Sequence, residues 1–238
     1  VYAAMLRRMR RDLKDAAPAY EARVLKAMSV VMIATGQWDA AVSSLRRASA
    51  QLAALGYRYE VLECTGRVNS VLQHTGDFRQ LLDNVWEDER VARRLEQSTI
   101  LRWTLLFKMQ AWLRTGSGTL DAAEQCLRAI HAIPTHRTRL EEIRLWANEA
   151  LALAARGEVG GVVQRAQDIL DLSRNMSSGR FYLMAPMAVI ADAMLFVACT
   201  APAGSPARKL GVDVARRYDD LTRGITIFAP RRLYYMGV

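Results

Sequence analysis

Few residues in this chain have the types and spacing that catalysis requires. The segment Gly157–Gly161 is rich in glycine, as are loops that cradle phosphate, but such loops follow a strand and end in Lys and Ser or Thr. We interpret it as a turn between helices. The neighbouring carboxylates Asp219 and Asp220 lie in a helical pattern beside Arg216 and Arg217. This arrangement favours surface ion pairs over a metal centre.

Cys126, His131 and His136 lie close together in the sequence and suggest zinc as an alternative. Zinc sites need four ligands, commonly spaced as Cys-x-x-Cys or as paired His on one helix face, and neither spacing occurs. A cysteine nucleophile needs a positioned base, and neither Cys64, Cys126 nor Cys199 has a histidine at a predictable distance. We therefore predict no catalytic, cofactor-binding or metal-binding residues, and no enzyme activity.

The three cysteines are odd in number and each lies in an apolar helical pattern. This predicts buried free thiols in a reducing compartment. The segment Met5–Arg11 is charged but has no apolar core behind it, so a secretory signal is not expected. We therefore expect a cytoplasmic protein.

The net charge of +9 comes from 33 basic and 24 acidic residues, and 29 of the basic residues are arginine. We interpret the arginine doublets as solvated helix faces, because they are spread along the chain. The alternative is an acidic partner, since basic clusters attract nucleic acid and anionic surfaces. The doublets are Arg46-Arg47, Arg93-Arg94, Arg216-Arg217 and Arg231-Arg232.

The candidate residues described above lie in a regular helical framework. Gly36, Gly76, Gly116 and Gly157 recur at an almost constant interval, and each ends an apolar helical stretch. A fixed period of about 40 residues is typical of stacked helix pairs. Glycine suits these positions because it adopts the left-handed conformation that ends a helix.

Apolar residues three and four positions apart predict ten helices. They cover residues 18–35, 38–55, 57–75, 77–95, 98–115, 119–132, 137–156, 158–174, 180–199 and 205–223. The five repeats are 18–56, 57–97, 98–136, 137–179 and 180–224, with partial helices at 1–16 and 225–238. We predict one all-α domain over 1–238, a right-handed α-solenoid of about five helix hairpins. Because Pro230–Met236 resembles the start of another helix, we expect a piece of a longer protein.

The stretch Phe181–Pro202 carries Asp192 as its only charge. Its length permits a membrane span, which needs about 20 apolar residues in a row. A central Asp costs about 2.5 to 3.5 kcal/mol on insertion scales. Pro186 also interrupts the early part, and the stretch falls where the repeat requires a first helix. We predict an inner helix of the solenoid and no membrane span.

The best-filled repeat resembles the tetratricopeptide repeat (TPR). In that pattern a glycine ends the first helix, an aromatic residue follows, and small and large apolar residues alternate along the second helix. Gly36, Trp38, Ala41, Leu45 and Ala48 occupy these positions in order.

Other repeats depart from this pattern. The second keeps Gly76 and Phe78 but has Leu81, Val85 and Asp88 where smaller or apolar residues belong. The period of about 40 also exceeds the 34 residues of the standard repeat.

The repeats also resemble the C-terminal sensor arms of multidomain signal-transduction ATPases, most of all those of large bacterial adenylate/guanylate cyclase-type proteins. The tail Ile227–Tyr235 is similar to the start of a late repeat in that group. The resemblance implies a regulatory scaffold, with any cyclase or ATPase domain outside these residues.

Stacked repeats present a concave face, lined mainly by the first helix of each pair, that suits an extended peptide. We therefore predict a non-catalytic protein-interaction and regulatory module, whose partner is an acidic peptide or another domain of the same polypeptide. The alternative is a nucleic-acid-associated repeat module, such as the arm of an ATP-dependent transcription activator. Each predicted groove residue has a solvated position as its alternative, or a core position for Trp112. They are Arg23, Lys26, Glu63, Lys108, Trp112 and Arg144.

Overall fold

The computed structural model describes residues 17–134, 136–174, 176 and 180–223, together with Ala4, Arg8 and Tyr235. Within these ranges the regular structure is α-helical. Its helices are α1 (Pro18–Ala34), α2 (Trp38–Ala54), α3 (Arg58–Thr75), α4 (Phe78–Arg94), α5 (Ser98–Thr115), α6 (Leu120–His131), α7 (Arg139–Ala155), α8 (Val159–Arg174), α9 (Arg180–Thr200) and α10 (Pro206–Thr222).

The predicted helices within these ranges are confirmed, with ends that differ by two residues at most. The partial helices predicted at 1–16 and 225–238, the tail Ile227–Tyr235 and Arg231-Arg232 fall outside the described ranges, apart from the single residues named above. The all-α solenoid class of fold is confirmed, while the right-handed sense of the superhelix stays a prediction.

Local chemistry explains where several helices begin. Pro18 and Pro206 occupy the first positions of α1 and α10, where a missing N–H costs nothing. The hydroxyl of Thr119 accepts a hydrogen bond from the backbone N–H of Ala122 at 3.1 Å at the start of α6. Thr138 and Glu141 form a reciprocal capping box at the start of α7, which satisfies two otherwise unpaired backbone donors.

The four periodic glycines all adopt the left-handed conformation that the repeat predicts. Their φ angles are +77° at Gly36, +81° at Gly76, +67° at Gly116 and +80° at Gly157. Each therefore ends the first helix of a pair. The turn predicted over Gly157–Gly161 is shorter than expected, because α8 already begins at Val159 and contains Gly160 and Gly161.

A second set of left-handed residues ends the second helices. Gly56, after α2, has a φ of +80°. One period later, after α4, the same place is taken by Glu96, with a φ of +54°. Because a side chain disfavours this backbone conformation, the turn at Glu96 is more strained than the turn at Gly56.

The chain forms two compact units, Val1–Ala111 and Trp112–Val238, with the division inside α5. In the first unit, α1 packs on α2, α2 on α3, and α3 on α4. The predicted apolar stripe of α2 is fully buried there, at Ala41, Leu45, Ala48 and Leu52. The prediction of one continuous domain stays a prediction.

In the second unit, α9 packs against α7, α8 and α10. By length and composition alone, this one helix of the described residues could cross a membrane, but 61% of its window Leu183–Thr200 is buried within the protein. That burial favours the inner helix predicted for this stretch. The helix continues through Pro186, so the interruption expected there is wrong.

The one charge of the apolar window, Asp192, lies in a polar cluster. Its carboxylate forms an ion pair with Arg114 from the end of α5. It also accepts a hydrogen bond from the hydroxyl of Tyr235 at 2.5 Å. The ring of Tyr235 packs edge-on against Tyr218 of α10, with 5.2 Å between the ring centres. The charge is thus compensated by neighbouring residues.

Candidate partner-binding surface

The first helices of the first unit are joined by polar pairs. The guanidinium of Arg23 in α1 donates to the carboxylate of Glu60 in α3 at 3.1 Å. The ammonium of Lys26 donates to Glu63 at 2.6 Å. In α3 and α5, the amide of Gln73 donates to the amide oxygen of Gln110 at 2.5 Å.

All three pairs have a separation of 37 residues. The repeat period is about 40 residues, so a separation of 37 is shorter than one period by about one helical turn. Each first helix therefore contacts the next first helix about one turn closer to that helix's N-terminus. Opposite charges at this separation were therefore a signal present in the sequence. The sequence-based prediction instead treated Arg23, Lys26 and Glu63 as separate groove positions.

The structure brings Arg23, Lys26 and Glu63 together as partners of adjacent helices. The backbone carbonyl of Lys26 also accepts a hydrogen bond from Arg67 at 2.6 Å. An acidic peptide must compete with Glu60 and Glu63 for these cations. The charge of this face is thus largely compensated before any partner binds.

Lys108 has a different environment, between α5 and α4. It is 6% exposed, and its ammonium lies 2.8 Å from the carboxylate of Glu89 and 3.6 Å from the centre of the Trp86 ring. Burial raises the pKa of Glu89, but hydrogen bonds from Lys108 and Arg93 outweigh it and leave that pKa below its usual value. Lys108 therefore orders the exposed Trp86 ring.

The two remaining groove predictions lie in the second unit. Trp112 is half-buried and covers Gly118 so closely that a Cβ there would overlap the indole Cγ. Arg144 is half-buried in α7, and its backbone carbonyl accepts a hydrogen bond from Asn148 at 2.7 Å. The binding roles of all six groove residues stay predictions.

The residue that departs most from the TPR pattern, Asp88, lies in a buried polar network. It is 5% exposed and accepts hydrogen bonds from Thr65 at 2.9 Å and Asn69 at 2.8 Å. Asn69 accepts in turn from Asn84 at 2.9 Å. Burial raises the pKa of Asp88 to about 6, although the two hydrogen bonds oppose the rise. This network joins α3 to α4 and is closed to a substrate.

The cysteines are free thiols, as predicted, but only two are buried. Burial raises the pKa of Cys64 to about 11, although Lys26 and Arg67 act in the other direction. A thiol with this pKa stays protonated at neutral pH and is a poor nucleophile. The prediction that Cys199 is buried is wrong, because it lies in the exposed last turn of α9.

His131 and the paired carboxylates have structural partners. Nε2 of His131 lies 2.8 Å from the carboxylate of Glu149, and no three His, Cys, Asp or Glu of the described ranges form a group suited to a metal ion. Asp219 and Asp220 form surface ion pairs, as predicted, although with Arg223 rather than with Arg216 or Arg217.

Comparison with solved structures identifies the architecture. A crystal structure from Podosopora anserina, of a kinesin light chain-like protein with nearly identical TPR-like repeats, matches 87% of this chain over 99% of its own length, with a TM-score of 0.53. The fold is that of TPR-like repeats. The sequence identity is 16%, so this similarity concerns the fold alone. No family model matches the sequence, and no curated protein does.

Proposed function

We propose that this TPR-like chain is a non-catalytic protein-interaction scaffold. The observation that carries the proposal is the arrangement of α1, α3 and α5, whose polar side chains are joined at a constant spacing of 37 residues. Such stacking makes an ordered surface that needs little rearrangement on binding, which lowers the entropic cost of association. The high pKa of Cys64 and the closed environment of Asp88 support a non-catalytic role.

We further propose that the chain is the regulatory C-terminal region of a cytoplasmic multidomain cyclase- or ATPase-type signalling protein. The support is the resemblance of its arginine-rich repeats to such arms. Neighbouring domains of the same polypeptide are then the first candidates for its partner. The genomic reading frame upstream of Val1 tests this parentage, and must encode a nucleotide-binding loop or a cyclase domain.

The scaffold proposal is tested by two measurements on the purified chain. The first incubates it with ATP or GTP and Mg²⁺ and measures hydrolysis and cyclisation, neither of which is expected. The second adds the chain in trans to the parent's other domains and measures complex formation by sedimentation velocity. Turnover by the chain alone contradicts the proposal, and so does the absence of any complex.

Nucleic-acid binding is the second candidate function. The distribution of basic residues, and which of them already form ion pairs, decides which arginines to substitute in a test. Residues 17–223 contain 26 basic and 22 acidic residues, whereas residues 1–16 contain five basic and two acidic. Arg47 and Arg93 already form ion pairs with Glu21 and Glu89.

A salt titration separates the two candidates, since binding through phosphates weakens steeply with salt. Arg46→Glu and Arg94→Glu are the informative charge reversals, because both arginines are exposed and lie beside the paired ones. Affinity for duplex or single-stranded DNA at low salt that these reversals abolish supports the nucleic-acid candidate. Absence of binding at low salt removes it.

A further inference from the structure

Four exposed apolar side chains of the first unit lie in the first turn of α1 and around the turn from α2 into α3. Tyr20, Leu55, Tyr57 and Tyr59 are 51%, 46%, 43% and 46% exposed, and they are four of the six large apolar residues that are exposed among the described residues. We call these four residues the tyrosine edge. Large exposed apolar groups at one place, with polar residues around them, mark interaction sites.

Arg23 links the two parts of this edge, which are Tyr20 in α1 and the tyrosines at the start of α3. Its guanidinium carbon lies 5.3 Å from the centre of the Tyr57 ring, and its Nε donates to Glu60 at 3.1 Å. Tyr20 precedes Arg23 by about one helical turn, so both lie on one face of α1. The stacked guanidinium restrains the Tyr57 ring, which reduces the side-chain entropy lost on binding.

The repeat itself does not require these aromatic residues. In the next repeat, the positions of Tyr20, Tyr57 and Tyr59 are taken by Glu60, Gln97 and Thr99. The later turn forms without them, and the Gln97 amide donates to the backbone carbonyl of Leu95 at 3.1 Å. The turn therefore folds with polar residues, and the exposed rings serve something other than its folding.

The charge of the edge favours an acidic partner. Arg58, between Tyr57 and Tyr59, is exposed and has no ion pair among the described residues. The Arg23 side chain is 50% exposed, whereas its partner Glu60 is 20% exposed. Two guanidinium groups thus accompany one carboxylate. Two cations are few for a nucleic acid, whose affinity depends on many phosphate contacts.

We propose that the tyrosine edge binds an acidic peptide segment of the scaffold's partner, with apolar side chains of that segment as anchors on the tyrosine rings. The proposal rests on the scaffold function and deepens it by naming the surface and the chemistry of the partner. Tyr and Arg are the residue types that contribute most energy at protein interfaces. Arg58 pairs with a carboxylate of the peptide, and the rings of Tyr57 and Tyr59 contact its apolar residues.

The probe is a fluorescein-labelled pool of short synthetic peptides, with Asp or Glu at four fixed positions around two positions that hold Leu, Pro or Phe. The matched pool carries Lys at the four fixed positions. Fluorescence anisotropy measures affinity for the full chain. We expect the acidic pool to bind, and the paired substitution Tyr57→Ser with Tyr59→Ser to weaken binding at least about tenfold. Arg58→Glu should reverse the preference between the pools.

Control substitutions test whether binding depends on the tyrosine edge or on another surface of the first unit. Tyr57→Phe preserves the ring and should retain most of the affinity. Trp86→Ser removes an exposed aromatic residue of the same unit. Lys26→Gln with Glu63→Gln removes a pair from the surface that α1, α3 and α5 form, which we call the first-helix face. Neither control should change binding by more than about twofold. Circular dichroism verifies that each variant is folded, which we expect because Tyr57, Arg58, Tyr59 and Trp86 are exposed and because the partly buried Lys26 and Glu63 are neutralised together.

Each other outcome overturns the inference. Binding that survives the tyrosine substitutions but is lost with Lys26→Gln and Glu63→Gln leaves the scaffold proposal intact and places the site on the first-helix face. Failure of the wild-type chain to bind the acidic pool contradicts the tyrosine edge alone, since complex formation with the parent's other domains tests the scaffold separately. Self-association that depends on Tyr57 identifies a second copy as the occupant.

Discussion

The two units of this protein differ in the residues that hold their packed helices together. In the first unit, helices that share an apolar core around Leu45 and Leu52 are also joined by polar groups. These are Lys26 with Glu63, Gln73 with Gln110, and the network around Asp88. In the second unit, α7 to α10 share a largely apolar core in which Met187, Val189 and Ile190 of α9 are almost fully buried. A degenerate repeat can therefore preserve its helix pairs while the chemistry between them changes.

The largest expected effect is on the apolar core of the second unit. Ile190 is fully buried, so Ile190→Ala should lower the free energy of unfolding by about 2 to 5 kcal/mol. Leu195→Ala, on the same helix but half-buried, is the control and should cost less. Urea denaturation followed by circular dichroism measures both. Equal losses at the two positions contradict the packing described for α9.

A smaller loss is expected where the second unit does use charge. Asp192→Asn leaves Arg114 without its carboxylate partner. Because both side chains are about one-fifth exposed, we expect about 2 kcal/mol, below the roughly 3 to 5 kcal/mol of a fully buried pair. Asp171→Asn, which removes an exposed pair with Arg174, should cost about 0 to 1 kcal/mol. A double-mutant cycle with Arg114→Met measures the coupling, and a coupling near zero refutes the pair.

The polar network of the first unit predicts a pH dependence. The pKa of Asp88 is raised from 3.8 to about 6 in the folded chain, so the fold favours the protonated carboxyl. Its contribution to stability is complete below about pH 4 and is lost as the pH rises through 6, up to about 3 kcal/mol in all.

Asp88→Asn removes this titration while retaining an amide that can hydrogen-bond. Unfolding free energies of both chains are measured from pH 4 to pH 8, and their difference isolates Asp88 from the other carboxylates. We expect the variant to gain on the wild type as the pH rises. A constant difference means that Asp88 has an ordinary pKa.

The smallest effects concern the two turns of the first unit. Gly56 and Glu96 occupy equivalent left-handed positions, and no atom lies within 4 Å of a Cβ placed on Gly56. Gly56→Ala should therefore cost about 1 kcal/mol from the backbone alone, whereas Glu96→Gly should stabilise by up to about 1 kcal/mol. Thermal unfolding measures both, and shifts of the same sign would contradict a shared backbone conformation.

The helices were predictable because their signals are local. Apolar spacing along α2 and the glycines that end the first helices depend on residues only a few positions apart. The environment of Asp88 was not predictable in the same way, since Thr65 and Asn69 lie 23 and 19 positions away and reach it only when α3 packs on α4.

Predictions of exposure succeeded in the middle of helices and failed at an end. Cys64 and Cys126 lie within helices that neighbours cover, and both are buried. Cys199 has an equally apolar sequence around it, but it lies in the last turn of α9, where the cover stops. An apolar pattern indicates which face of a helix is buried, but not how far along the helix the burial extends.

By itself, the amino-acid sequence determined the helices, their ends and the period of the repeat, because hydrogen bonds within a helix and the backbone freedom of glycine act over short distances. Only the tertiary structure decided which charges compensate each other and which tyrosines stay exposed. These properties depend on groups that are distant in the sequence, whose contact is created by helix packing.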